Sequence, residues 1–119
     1  MNVLFDVDLT IISAHLELRP HVKEVMATFK ETGHNAYVWS TGGKSYVEEI
    51  VRRRDLGKTV DGCFGKFGET PVRPDFCVDD LKEYMETFGG YLVRPSVSLT
   101  SSDREMLEAL RVILSRDST

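Results

Sequence analysis

The first ten residues, Met1-Asn2-Val3-Leu4-Phe5-Asp6-Val7-Asp8-Leu9-Thr10, decide how the rest of the chain is read. Val3-Leu4-Phe5 is apolar enough to lie inside a sheet. It delivers two carboxylates, Asp6 and Asp8, and then a hydroxyl, Thr10, at the same two-residue spacing. Stability alone gives no reason for a buried strand to end in acid, because an unpaired buried charge is costly. Open α/β sheets place their ligands at the carboxyl ends of their strands. These ten residues therefore mark a site against which the later motifs can be tested.

Working outward, residues 11–19 show no period and read as a loop that leaves directly from that site. Pro20 opens a helix in its first turn, with Val22, Val25, Met26 and Phe29 on one face and Gly33 as its cap. A second strand, 35–39, ends at Ser40-Thr41-Gly42-Gly43. The next helix, 44–56, has Tyr46, Val47, Ile50 and Val51 as its apolar face, and Gly57 closes it. Arg52-Arg53-Arg54 suits the negative end of that helix dipole better than a nucleic-acid patch. A short third strand or turn falls at 60–65 and a loop follows over 66–74. A fourth strand, 75–78, runs straight into Asp79-Asp80.

Leu81, Tyr84, Met85 and Phe88 mark the buried face of a short helix, stopped by Gly89-Gly90. Residues 91–93 form a fifth strand, and Ser102 with Glu105 fits a capping box. Met106, Leu107, Leu110, Ile113 and Leu114 complete a last amphipathic helix. This alternation predicts one α/β domain over 1–119, a three-layer Rossmann-like fold. Its five strands should form a parallel sheet with helices on both faces and right-handed crossovers.

The bulk composition agrees with that size. A chain of 119 residues, 41% hydrophobic and 29% charged, supports one soluble globular core without disulfides. A net charge of −4 argues against non-specific binding to nucleic acid or an anionic membrane. Cys63 and Cys77 sit in apolar contexts with no Cys-x-x-Cys pairing, which predicts free thiols in a reducing compartment. His15, His21 and His34 are scattered without ligand spacing. No apolar run approaches the roughly 20 residues that span a bilayer, and the start lacks a signal peptide's basic residues. A cytoplasmic location is expected.

In a parallel sheet, Asp6 and Asp8, Ser40 and Thr41, and Asp79 and Asp80 would converge on one edge. Converging carboxylates repel unless a cation holds them. Oxygen donors without His or Cys select Mg²⁺, which binds through one or two carboxylates plus substrate phosphate. The helix start behind Ser40, opened by Gly42-Gly43, favours an anion. Together these features point to phosphoryl transfer, with a carboxylate able to serve as nucleophile. Asp79-Asp80 taken alone would be read as a helix start, and Ser40-Thr41 likewise.

Three motifs, in order, resemble those of the haloacid dehalogenase-like superfamily of phosphohydrolases. Val3 to Thr10 resembles its Asp-x-Asp-x-Thr motif, Val38-Trp39-Ser40 its second, and Cys77-Val78-Asp79-Asp80 its fourth. The resemblance implies that Asp6 is the nucleophile and a Mg²⁺ ligand. It implies that Asp8 is the general acid/base, with its backbone carbonyl on the metal, and that Asp79 and Asp80 complete the metal set. Ser40 would hold the phosphoryl oxygens, with Thr10, Thr41, Gly42 and Arg73 completing the substrate-binding set. The family's third motif is a Lys or Arg, and three candidates stand for it: Lys66, Arg73 and Lys44.

Family members often carry a cap domain over the substrate. Residues 11–19 and 43–66 leave no room for one, so a capless, open site is expected. By analogy that favours a large phosphorylated substrate, nucleic acid included only as substrate, or a cap supplied by a second copy. A catalytically idle phosphate- or Mg²⁺-binding module of the same fold is the alternative. Against it stands Asp8, which a pure binder does not need.

Overall fold

A computed structural model describes residues 1–68 and 70–117. The elements run β1 (Asn2–Asp6), α1 (Val22–Glu31), β2 (Asn35–Ser40), α2 (Lys44–Arg53), β3 (Gly62–Gly65), β4 (Phe76–Asp79), α3 (Lys82–Phe88), β5 (Gly90–Leu92) and α4 (Glu105–Asp117). The five strands form one sheet in the order β3-β2-β1-β4-β5, and every neighbouring pair is parallel. This is the expected α/β, Rossmann-like sheet. The chain builds outward from β1 to β3 and then returns to place β4 on the other side of β1. That reversal opens a crevice at the carboxyl ends of β1 and β4, where such sheets bind ligands.

The two faces are unequal. Strand alternation sends Val3, Phe5, Ala36, Val38, Phe76 and Val78 to one side, where they meet Met26 and Phe29 of α1, Val47 and Ile50 of α2, and Met106 and Ile113 of α4. The other face holds a much smaller cluster: Leu4, Trp39 and Cys77, covered by Tyr37, Phe64, Val72 and Tyr84. Only α3 lies over it, and α3 has no fully buried residue. Its expected buried face is half-buried at Tyr84 and Met85 and exposed at Leu81 and Phe88. The reason is that no further layer closes over this side.

Several element ends depart from the sequence reading. Pro20 lies before α1, whose cap is His21 in the left-handed region at φ 71°. Gly33 does terminate α1, at φ 85°, with His34 N–H donating to Phe29 C=O at 2.8 Å and Gly33 N–H to Lys30 C=O at 3.1 Å. Helix α2 stops earlier than expected, and Asp55 rather than Gly57 supplies the left-handed residue, at φ 56°. Leu56 N–H then reaches Val51 C=O at 2.9 Å. Aspartate is among the few side chains that tolerate that conformation. At α4, Asp103 takes the place expected of Ser102: its Oδ1 accepts from Glu105 N–H at 3.0 Å. The Glu105 carboxylate turns instead to the Tyr91 hydroxyl at 2.6 Å and Arg94 N–H at 2.7 Å.

Residues 11–19 fold as a small hairpin, with Ser13 N–H bonded to Glu17 C=O and Ile12 bridged to Leu18. Residues 41–61 hold α2 and turns. Neither segment contains a second folded unit. Cys63 and Cys77 are both free thiols, half-buried and buried. Among the described residues, no helix is long and apolar enough to cross a membrane.

Gly90 is a strand residue rather than a stop. It pairs with Cys77 at φ 147°, and a Cβ there would lie 1.9 Å from the Cys77 carbonyl oxygen. Backbone cannot yield as a flexible side chain can, so Gly90→Ala is expected to destabilise by at least ~2 kcal/mol in urea unfolding. A Cβ on Gly57 would meet nothing within 4 Å, so Gly57→Ala should change stability by no more than ~0.5 kcal/mol in the same measurement.

Candidate active site

Each strand that borders the crevice ends in a polar group, and parallel pairing brings those ends together. Register aligns Phe5 with both Val38 and Val78, so Asp6, Trp39-Ser40 and Asp79 reach the same edge. Alternation puts Asp6 on the side of Leu4 and Asp79 on the side of Cys77, which is the thinly covered face. One oxygen from each of Asp6, Asp79 and Asp80 lies within 4.8 Å of the others. Asp6 is 6% exposed and Asp79 is fully buried.

Of the three cations considered, Lys66 joins this cluster. Its ammonium sits 2.9 Å from Asp6 Oδ1 and 2.8 Å from Asp79 Oδ2, on a side chain only 1% exposed. Lys66 leaves the end of β3, two strands away, and its Nζ lies 3.9 Å from the Tyr84 ring centroid and 5.6 Å from that of Trp39. Arg73 does not join. Its carbonyl accepts from the Asn2 side chain, which places it at the opposite, amino-terminal edge of the sheet. The segment 66–74 crosses from one edge to the other to begin β4, and Arg73 stands at its far end. Lys44 begins α2 and lines a cavity of about 360 Å³ with Gly43, Phe64, Gly65, Phe67 and Pro71.

Thr10 is fully buried and donates to Asp6 Oδ2 at 3.0 Å, with Asp80 Oδ1 at 3.5 Å. Its hydroxyl thereby holds the Asp6 carboxylate in place. Ser40 is buried, and its Oγ accepts the Gly42 N–H at 3.0 Å, the local turn that hydroxyls favour. Thr41 and Gly42 are exposed beside it. Gly43 caps α2 at φ 95° with no side-chain bond to the helix start, leaving those N–H groups to a ligand or water. Asp79 Oδ1 accepts Leu81 N–H at 3.0 Å, in the turn before α3 and not as that helix's cap, while Oδ2 faces Lys66 at 2.8 Å.

Asp8 lies exposed in the turn after β1, and Tyr46 of α2 donates to its Oδ1 at 2.5 Å. Burial first, and then the bond to Asp8, raise the Tyr46 hydroxyl's pKa, so it remains a donor. The sequence reading placed Tyr46 among apolar packing residues. The available signal was its position, one helical turn after Gly42. Arg19 was missed altogether. Its guanidinium, 2% exposed, donates to Thr10 C=O at 3.2 Å, Asp103 Oδ2 at 2.8 Å and Arg94 C=O at 2.7 Å. His15 is exposed in the hairpin.

The electrostatics are those of a crowded, dry site. Burial, and after it the charge of Asp79, push the Asp6 carboxyl up to about 7 against the pull of Lys66. Burial also raises Asp79, again opposed by Lys66. Burial works against the Lys66 ammonium, yet Asp6 and Asp79 outweigh it and keep its pKa above the ordinary value. The cluster thus carries one cation against three acids. One oxygen from each of Asp6, Asp79 and Asp80 is close enough to the others for the three to hold a metal ion. Scanned against models of known protein families and against curated protein sequences, the chain finds no match.

A carboxyl raised from 3.8 to about 7 favours the protonated form in the fold. Its contribution to stability is complete below pH 4 and is lost as pH rises through 7. With chelator present, Asp6→Asn should therefore gain thermal stability relative to wild type on moving from pH 4.5 to pH 8. A melting-temperature difference that does not change over that range would show that Asp6 ionises normally.

Proposed function

We propose that the chain is a Mg²⁺-dependent phosphomonoesterase acting through an aspartyl-phosphate on Asp6, as its resemblance to the haloacid dehalogenase-like superfamily implies. One observation carries the reading: a buried carboxylate, Asp6, is gripped by Thr10 and Lys66 beside two further carboxylates. A carboxylate needed only for structure does not require two more acids beside it.

In this mechanism Asp6 attacks the phosphorus and displaces the alcohol. Asp8 gives its proton to the leaving oxygen, then takes one from the water that releases phosphate. The Lys66 ammonium offsets the charge of Asp6 and of the phosphoryl group. Ser40 and the amides at the start of α2 receive the phosphoryl oxygens. Asp6, Asp79, Asp80 and the Asp8 carbonyl would hold Mg²⁺. When bound, it supplies neutralising charge between nucleophile and phosphate. Residues 11–19 and 43–66 hold no second folded unit that could cover this edge. Phe67, next to Lys66, is 78% exposed there. An open rim suits a phosphate carried on a large molecule.

A phosphomonoester panel with Mg²⁺ tests the reading. Hydrolysis should vanish with chelator and return with Mg²⁺. Asp6→Asn should lose at least ~10³-fold in kcat, and Lys66→Met ~10²-fold or more. Beryllium fluoride should form a stable adduct on Asp6. A wild-type chain that binds Mg²⁺ but hydrolyses nothing in the panel would instead be the binding module.

A further inference from the structure

We propose that Tyr46 is a positioning residue for Asp8, reserving Oδ2 as the oxygen that handles the proton; this rests on the phosphatase reading above. Asp8 lies in an exposed turn, where a short carboxylate would otherwise sample several rotamers. Among the described residues, the Tyr46 hydroxyl is the side chain that donates to it, at 2.5 Å on Oδ1. Hydrogen bonds to an ionised acceptor are short and about twice as strong as neutral ones. With Oδ1 engaged, Oδ2 is left to face the substrate.

The phenol is itself held. Tyr46 sits in the first turn of α2, half-buried against the main core. Its ring lies over Gly42: a Cβ at that position would fall 2.8 Å from Tyr46 Cδ2 and 3.3 Å from Cγ. Gly42 in turn donates its N–H to Ser40 Oγ at 3.0 Å. Ser40, Gly42, Tyr46 and Asp8 therefore form a connected chain from the phosphate anchor to the acid/base. This also accounts for glycine at 42, where any side chain would displace the ring.

In the first step the Asp6–phosphorus bond forms as the bond to the leaving oxygen breaks, and the proton on Asp8 Oδ2 moves to that oxygen. In the second, water's oxygen bonds phosphorus as the bond to Asp6 breaks, and water's proton returns to Asp8 Oδ2. The Tyr46 donor stays on Oδ1 through both.

The test is Tyr46→Phe, assayed with Mg²⁺ on glycerol 2-phosphate and p-nitrophenyl phosphate. An alkoxide needs a proton to leave, whereas p-nitrophenolate does not. With glycerol 2-phosphate, kcat should fall ~10-fold or more with KM nearly unchanged, a part of the ~10²–10⁴ that general acid/base catalysis supplies. With p-nitrophenyl phosphate, the first turnover should stay fast and release of phosphate should slow, so a burst of p-nitrophenolate appears. Asp8→Asn with Tyr46→Phe should be no slower than Asp8→Asn alone.

An unchanged kcat, a rise in KM alone, or losses that multiply in the double variant would overturn the role. Circular dichroism establishes that each variant keeps its fold. A wild type inert on both substrates would fail the phosphatase reading and this role with it. An active wild type beside an indifferent Tyr46→Phe fails this role only.

Discussion

The Lys66 ammonium, 2.9 Å from Asp6 and 2.8 Å from Asp79, is the contact on which the site depends. Two buried carboxylates side by side are tolerated only with a cation between them. Lys66 is well suited because its stem is long. It starts at the end of edge strand β3 and must cross β2 to reach β1 and β4. The rings of Trp39 and Tyr84 lie beneath its path. A cation over an aromatic face is stabilised by ~0.5–2 kcal/mol. The small aromatic cluster on this face is thus both packing and a bed for the charge.

That arrangement explains why the two faces of the sheet differ so much. The large core under α1, α2 and α4 carries the hydrophobic stabilisation. The opposite face holds few buried apolar residues, and its outer end is given to ionisable groups. Helix α3 covers the middle of this face with Tyr84 and Met85 and leaves its own outer residues in solvent.

Local pattern made most of this legible. Apolar runs located β1, β2 and β4, and the acids that end β1 and β4 located the carboxylate cluster, because strand alternation and helical spacing are properties of neighbouring residues. Asp6, Asp79 and Asp80 could be grouped from sequence because a parallel sheet brings strand ends to one edge whatever else it does. The cation could not be chosen that way. Lys66 and Arg73 lie in the same loop, and only the path of that loop from one edge of the sheet to the other separates them. Tyr46 meets Asp8 across 38 positions, and Arg19 meets Asp103 across 84. No local period encodes such pairs. Asp55 for Gly57 is a different kind of miss: glycine is the commoner helix terminator, but aspartate suffices where the turn falls earlier than the pattern suggests.

The turn that carries Asp8 and Thr10 is not held by the strand before it alone. Leu9 sits at φ 63°, a conformation unfavourable for leucine that the surroundings must impose. Two clamps impose it. Ser96 N–H donates to Leu9 C=O at 2.8 Å, and Arg19 donates to Thr10 C=O at 3.2 Å. Arg19 is in turn anchored on Asp103 and on the Arg94 carbonyl. Residues 93–105 contribute nothing to the carboxylate cluster, yet they set the backbone from which Thr10 reaches Asp6 and Asp8 reaches Tyr46. The link between β5 and α4 therefore belongs to the candidate site in a physical sense, because its Arg94, Ser96 and Asp103 keep the central turn in a shape its own residues would not adopt.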